Sequence, residues 1–231
     1  MYRMNTPCDR HEDRAPGFFG KVLTHGDFVS RRLPPMLLDA WDGWLQAAMR
    51  ASRDSLGPRW LDTYLNSPVW RFVLAPGVCG ERAWAGVLMP SVDRVGRYFP
   101  LTIACGAAGG ALLDWIDSGH AWFGRIEELA LSSLRDDFVL ESFDAALLAG
   151  PALADHPAPG SRGPHGARLP LSGIDGGLAR QLARAALDGR SIWWTEGSAA
   201  VEPSLLVCQG LPQPAAFAGM LAGNWRQSGW A

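Results

Sequence analysis

The apolar positions of this 231-residue chain fall into runs whose period changes from one segment to the next. From 16 to 23 a short apolar run set between glycines predicts a strand. Thr24-His25-Gly26-Asp27 is turn chemistry, and Asp27 is placed to cap a helical turn after it. Beyond Pro34-Pro35, the residues Leu37, Trp41, Trp44, Leu45 and Ala48 recur at helical spacing, which predicts an amphipathic helix over about 35–55. Gly57-Pro58 closes it and opens a shorter helix carrying Trp60, Leu61, Tyr64 and Leu65. Residues 69–75, 82–89 and 99–105 read as strands. The turns between them are short, around Pro76-Gly77 and Gly96, and favour an antiparallel meander over parallel crossovers.

The second half continues with a helical stretch over about 111–134, a break at Asp136-Asp137 and a short helix through Leu148. Prolines and glycines crowd residues 150–173, which carry no periodic apolar face and read as a mobile loop. A helix at about 174–188, strands at 191–194 and 204–208 and a last helix at about 213–223 complete the pattern. Residues 1–15 and 225–231 read as tails on one domain spanning 16–224. Strands and helices interleave without strict alternation, so the expected fold class is α+β: a sandwich with a mostly antiparallel, mixed sheet flanked by helices. Eleven tryptophans are many for this length. Trp41, Trp44, Trp60, Trp70 and Trp84 fall on apolar faces and are assigned to the core. Trp225, in the expected C-terminal tail, is a candidate binding anchor.

Composition narrows the function classes. Hydrophobic residues make up 48% of the chain, enough for a large core without disulfide or metal. A net charge of −2 argues against a nucleic-acid-binding role. Cys8, Cys79, Cys105 and Cys208 are widely spaced and read as reduced thiols of a cytoplasmic protein. The polar N-terminus lacks a signal-peptide core, and no apolar run reaches the ~18 residues of a transmembrane helix. Gly17-Phe-Phe-Gly20-Lys21-Val22 is too short to wrap a phosphate, and Val22 stands where a magnesium-binding hydroxyl belongs. Dinucleotide, nucleophile-elbow and clustered metal-ligand patterns are absent, so neither a cofactor nor a metal is expected.

Two groups of residues stand apart: Gly26-Asp27-Phe28 followed by Arg31 and Arg32, and the turn Ser91-Val-Asp93-Arg94-Val-Gly96-Arg97 between two expected strands. Guanidinium groups on such a turn suit a carboxylate or phosphate. They equally suit pinning the turn against Asp93 or Asp27.

At these groups the chain resembles the TagF (ImpM) family of type VI secretion accessory proteins. The resemblance runs through Gly17-Phe-Phe-Gly20-Lys21, Gly26-Asp27-Phe28-Val29, Arg31-Arg32-Leu33-Pro34, Ser67-Pro68-Val69-Trp70-Arg71-Phe72 and the stretch from Gly86 to Leu101. It implies a non-catalytic, post-translational repressor whose partner is a forkhead-associated (Fha-type) scaffold. The expected partner contacts are Asp27, Arg31, Arg32, Asp93, Arg94, Arg97 and Trp225. Two other readings stay open: a phosphate-ligand sensor or enzyme using Arg94 and Arg97, and a structural subunit of the secretion apparatus. Oligomeric state is not legible.

Overall fold

The computed structural model describes residues 15–107, 112–151 and 186–230, together with 153, 161–163, 166–168 and 183. The expected N-terminal tail, up to residue 14, and almost all of the helix expected at 174–188 lie outside the described residues.

Its centre is a seven-stranded sheet. In chain order the strands are β1 (Gly17–Gly20), β2 (Val29–Arg31), β3 (Trp70–Leu74), β4 (Ala83–Met89), β5 (Leu101–Ala107), β8 (Arg190–Thr195) and β9 (Ser204–Gln209). In space they run β2-β1-β5-β4-β3-β8-β9. Every neighbouring pair is antiparallel, as the short turns led one to expect.

Alternation of side chains across the strands builds two cores. Trp70, Phe72 and Leu74 of β3, Trp84 and Leu88 of β4 and Trp193 of β8 face one side. There they meet α1 (Pro35–Leu56), α2 (Trp60–Leu65) and α6 (Phe217–Ala222). Val73, Val87, Met89, Ile103 and Ile192 face the other, under α3 (Leu112–Ser118), α4 (His120–Ser132) and α5 (Leu140–Leu148). Helices on both faces explain why β3 and β4 are buried at every residue, β4 as a continuous apolar run and β3 interrupted only by Arg71.

The tryptophans assigned to the core lie there, and Trp41, Trp44, Trp60 and Trp70 each find an acceptor for the indole N–H, whereas Trp84 has none among the described residues. Trp41 stacks on Trp193 with ring centroids 5.8 Å apart and donates Nε1–H to Thr102 at 2.8 Å. Trp44 donates to the Pro212 carbonyl at 2.7 Å, and Trp70 to that of Met220 at 3.1 Å. The first two bonds tie α1 to the sheet and to the C-terminal segment, and the third ties β3 to α6. A buried indole gains its full apolar benefit only when its N–H finds an acceptor.

Four sequence expectations change. No helical turn follows Asp27: Val29–Arg31 pairs with β1, Gly20 opposite Val29, so Asp27 caps nothing. The helix expected over 111–134 breaks at Gly119, where a Cβ would stand 2.2 Å from the Trp115 carbonyl oxygen. Inside the expected loop at 150–173, β6 (Ser161–Gly163) and β7 (Gly166–Arg168) pair as a two-stranded antiparallel ribbon. The segment expected as a loose tail packs instead: Trp225 meets Trp70 and Trp230 edge-on, and Trp230 donates to the Ala216 carbonyl at 2.9 Å. Large aromatics at the chain end recover apolar area by folding back onto the first core.

Trp193→Ala should lower unfolding free energy by about 3–5 kcal/mol, since it empties the centre of the aromatic stack. Leu205→Ala, on the next strand but 64% exposed, should stay within about 0.5 kcal/mol. Denaturant titration of the two variants checks both.

Candidate functional site

The chain leaving β1 and the turn between β4 and β5 are sewn together around one buried charge pair. Lys21, the only lysine of the chain, is 4% exposed and reaches Asp93, 1% exposed, at 2.8 Å. Asp93 Oδ2 also accepts Arg97 Nε–H at 2.7 Å, and its Oδ1 accepts the backbone N–H groups of Val95 at 3.0 Å and Arg97 at 2.9 Å. The carboxylate therefore receives four donors, two of them cationic. Such saturation is what burial of a charge requires.

The same side chain makes the turn. Its Asx bonds to residues 95 and 97 fold 93–97 tightly, and Gly96, with φ +82°, supplies the left-handed position. Backbone bonds close it from Asp93 N–H to the Arg97 carbonyl and from Gly96 N–H to the Asp93 carbonyl, each at 3.0 Å. Beneath it, Ser91 Oγ donates to the Lys21 carbonyl at 2.7 Å, while Tyr64 Oη donates to the Ser91 carbonyl and accepts its N–H, both at 2.9 Å. Burial pushes the Tyr64 phenol well above its ordinary pKa.

The 24–28 segment forms the outer wall. Arg94 N–H donates to the His25 carbonyl at 3.0 Å, and Arg97 Nη2 donates to the Gly26 carbonyl. Phe28 lies over the Lys21 ammonium at 4.4 Å from its ring centroid and stacks on Phe19 at 5.4 Å. Phe28 is nonetheless 48% exposed, and Val95 at the tip of the turn is 64% exposed.

The residues singled out from sequence separate into three places. Asp93 is buried and Arg97, exposed at 57%, braces it from the surface, 3.8 Å from the fully exposed Asp27. Arg94 is exposed and forms no ion pair among the described residues. Arg31 and Arg32 turn away to α5, where Arg31 Nη1 and Arg32 Nη2 each reach Asp144 at 2.5 Å and Arg32 also donates to the Pro16 carbonyl. Trp225, half-buried, packs against the first core edge-on to Trp70 and is in none of this turn's hydrogen bonds. Sequence reading named Lys21 only within a failed phosphate loop and the family resemblance, and gave it no contact. Its rarity among twenty arginines was the available signal. Among the described residues no three His, Cys, Asp or Glu side chains gather to hold a metal, and no helix is long and apolar enough to cross a membrane.

This geometry lies inside the segment, residues 17–149, matched by the family model of the TagF N-terminal domain, type VI secretion system-associated. The chain belongs to the TagF family. The TagF likeness extends to a solved structure, that of PA0076 from Pseudomonas aeruginosa PAO1, which is 42% identical. The two superpose with a TM-score of 0.83, covering 91% of this chain and 95% of that one. No curated protein matches the chain. The matched span thus holds β1–β5 and α1–α5 of this TagF chain.

Two acids hold this TagF site together, and both titrate low. Burial opposes ionisation of Asp93, but the Lys21 and Arg97 hydrogen bonds and two backbone N–H groups outweigh it and hold the carboxyl far below the usual range. Burial likewise opposes ionisation of Asp144, and Arg32 and Arg31 overcome it. A native pKa below the unfolded one gives stability that is complete above about pH 4 and lost as pH falls further. Wild-type stability should therefore decline below about pH 4. Asp93→Asn and Asp144→Asn should each be less stable at neutral pH and show a shallower acid decline, measured by denaturant titration across pH. An acid decline as steep as wild type in both variants would contradict these assignments.

Proposed function

We propose that this TagF chain is a cytoplasmic accessory protein of type VI secretion that acts by binding, not by catalysis, and represses secretion post-translationally by holding a forkhead-associated (Fha-type) scaffold. The docking face is the turn tip formed by Asp27, Phe28, Arg94 and Val95. One observation carries this reading: two apolar side chains and an arginine with no ion pair among the described residues stand exposed on a base that Lys21, Asp93 and Arg97 hold together. Exposed apolar residues beside a free guanidinium, presented by a preordered turn, are the makings of a protein contact, because little conformational entropy is lost on docking.

Arg97 contributes to this face as a brace, since its guanidinium serves Asp93 and the Gly26 carbonyl. That leaves Arg94 as the cation available to a partner, which favours a protein contact over a two-arginine phosphate clamp. Arg31 and Arg32, occupied by Asp144, hold the β1–β2 hairpin against α5 and support the face from behind.

Titration of the purified chain against its cognate Fha-type scaffold tests the proposal. Wild type should bind saturably. Arg94→Glu should weaken binding at least about tenfold with an unchanged melting temperature, as loss of an interface arginine does. Unchanged affinity in a folded Arg94→Glu protein would remove the turn from the interface, and no binding by wild type would remove the scaffold.

A further inference from the structure

A second concave site lies on the first-core face of the sheet, away from the turn. A cavity of about 380 Å³ opens between the start of α1 and the ends of β4 and β5. That volume falls within the range of small-molecule sites. Trp84, Ala104 and Gly106 form its floor, Leu33 and Pro34 a wall, and Arg32 and Arg82 its polar rim. The floor is open because position 106 has no side chain: a Cβ there would stand 2.8–3.1 Å from the six-membered ring of Trp84.

The charges around this cavity are lopsided. Among the described residues no carboxylate lines it. Arg32 is committed to Asp144 and the Pro16 carbonyl. Arg82 is half-buried and forms neither a hydrogen bond nor an ion pair among the described residues. A guanidinium held at the mouth of an apolar cleft, with no internal acid to answer it, complements an acid attached to a flat apolar body. α1 begins at this wall with no acidic residue in its first turn, so nothing there opposes an incoming negative charge.

We infer that this cavity binds a small ligand consisting of an aromatic or branched apolar group carrying one carboxylate or phosphate, the apolar part over Trp84 and the acid on Arg82. The site is independent of the docking turn: it shares none of that turn's exposed residues, so either can fail alone.

The test uses the full-length chain labelled with nitrogen-15, titrated with benzoate, phenyl phosphate and neutral benzamide. The Trp84 indole N–H, which has no acceptor among the described residues, is the reporter, assigned through Trp84→Phe or by through-bond experiments if that variant fails to fold. One or both acids should shift this resonance saturably, and whichever does so identifies the acid class. Benzamide should not. Arg82→Gln should weaken the effect at least tenfold at an unchanged melting temperature, whereas Arg50→Gln, on an exposed position of α1, should leave it intact. The inference is overturned if neither acid binds, if benzamide binds equally well, or if Arg82→Gln leaves affinity unchanged.

Discussion

The contact between Lys21 and Asp93 sets the terms for the rest of the N-terminal half. Removing an ammonium and a carboxylate from water is unfavourable unless their remaining hydrogen-bonding capacity is met inside. Here it is met by Arg97 and by the backbone of residues 95 and 97, and meeting it dictates the shape of the 93–97 turn. The Phe28 ring over the ammonium and the Arg97 guanidinium against the Gly26 carbonyl then fix the 24–28 segment. The face read as a docking surface is thus an outcome of burying one charge pair. A lysine suits this place because its compact ammonium fits beneath a ring where a planar guanidinium would need a wider slot.

A second constraint comes from the sheet. Covered on both faces, it needs side chains large enough to fill two cores, and the first of these is met largely by indoles and phenyl rings around Trp193. Gly86 marks how closely this packing is drawn: a Cβ there would stand 2.2 Å from the Ile103 carbonyl oxygen and 2.6 Å from the Phe72 ring. At the β9 edge the second face thins out, leaving Leu205 and Val207 exposed. The charged turn joins the central strands β4 and β5, whereas the β9 edge presents exposed apolar side chains.

Much of this was legible in the chain. The spacing of Leu37, Trp41, Trp44, Leu45 and Ala48 announces α1, and the apolar runs near 70, 84 and 102 announce the central strands, because period and composition are local signals. What escaped is non-local. Val29–Arg31 is too short to show a period, and it becomes a strand only through its pairing with β1. The partner of Arg31 and Arg32 lies over a hundred positions away, at Asp144, where nothing in the sequence links them. Asp93 and Arg97 were legible as a turn pair, four residues apart, but Lys21 joins them across a separation of 72. Trp225 looked free because the chain beyond the last helix lacks periodicity, although its aromatic content was itself a reason to fold back.

The measurement that bears most directly on the docking face is oxidative side-chain footprinting of the chain alone and bound to its Fha-type scaffold. Phe28 and Val95 are exposed around the β4–β5 turn, Leu205 and Val207 on the β9 edge strand. Protection of Phe28 and Val95 on binding, with Leu205 and Val207 unchanged, is the predicted result. Protection at Leu205 and Val207 alone would contradict the account and move the interface to the β9 edge.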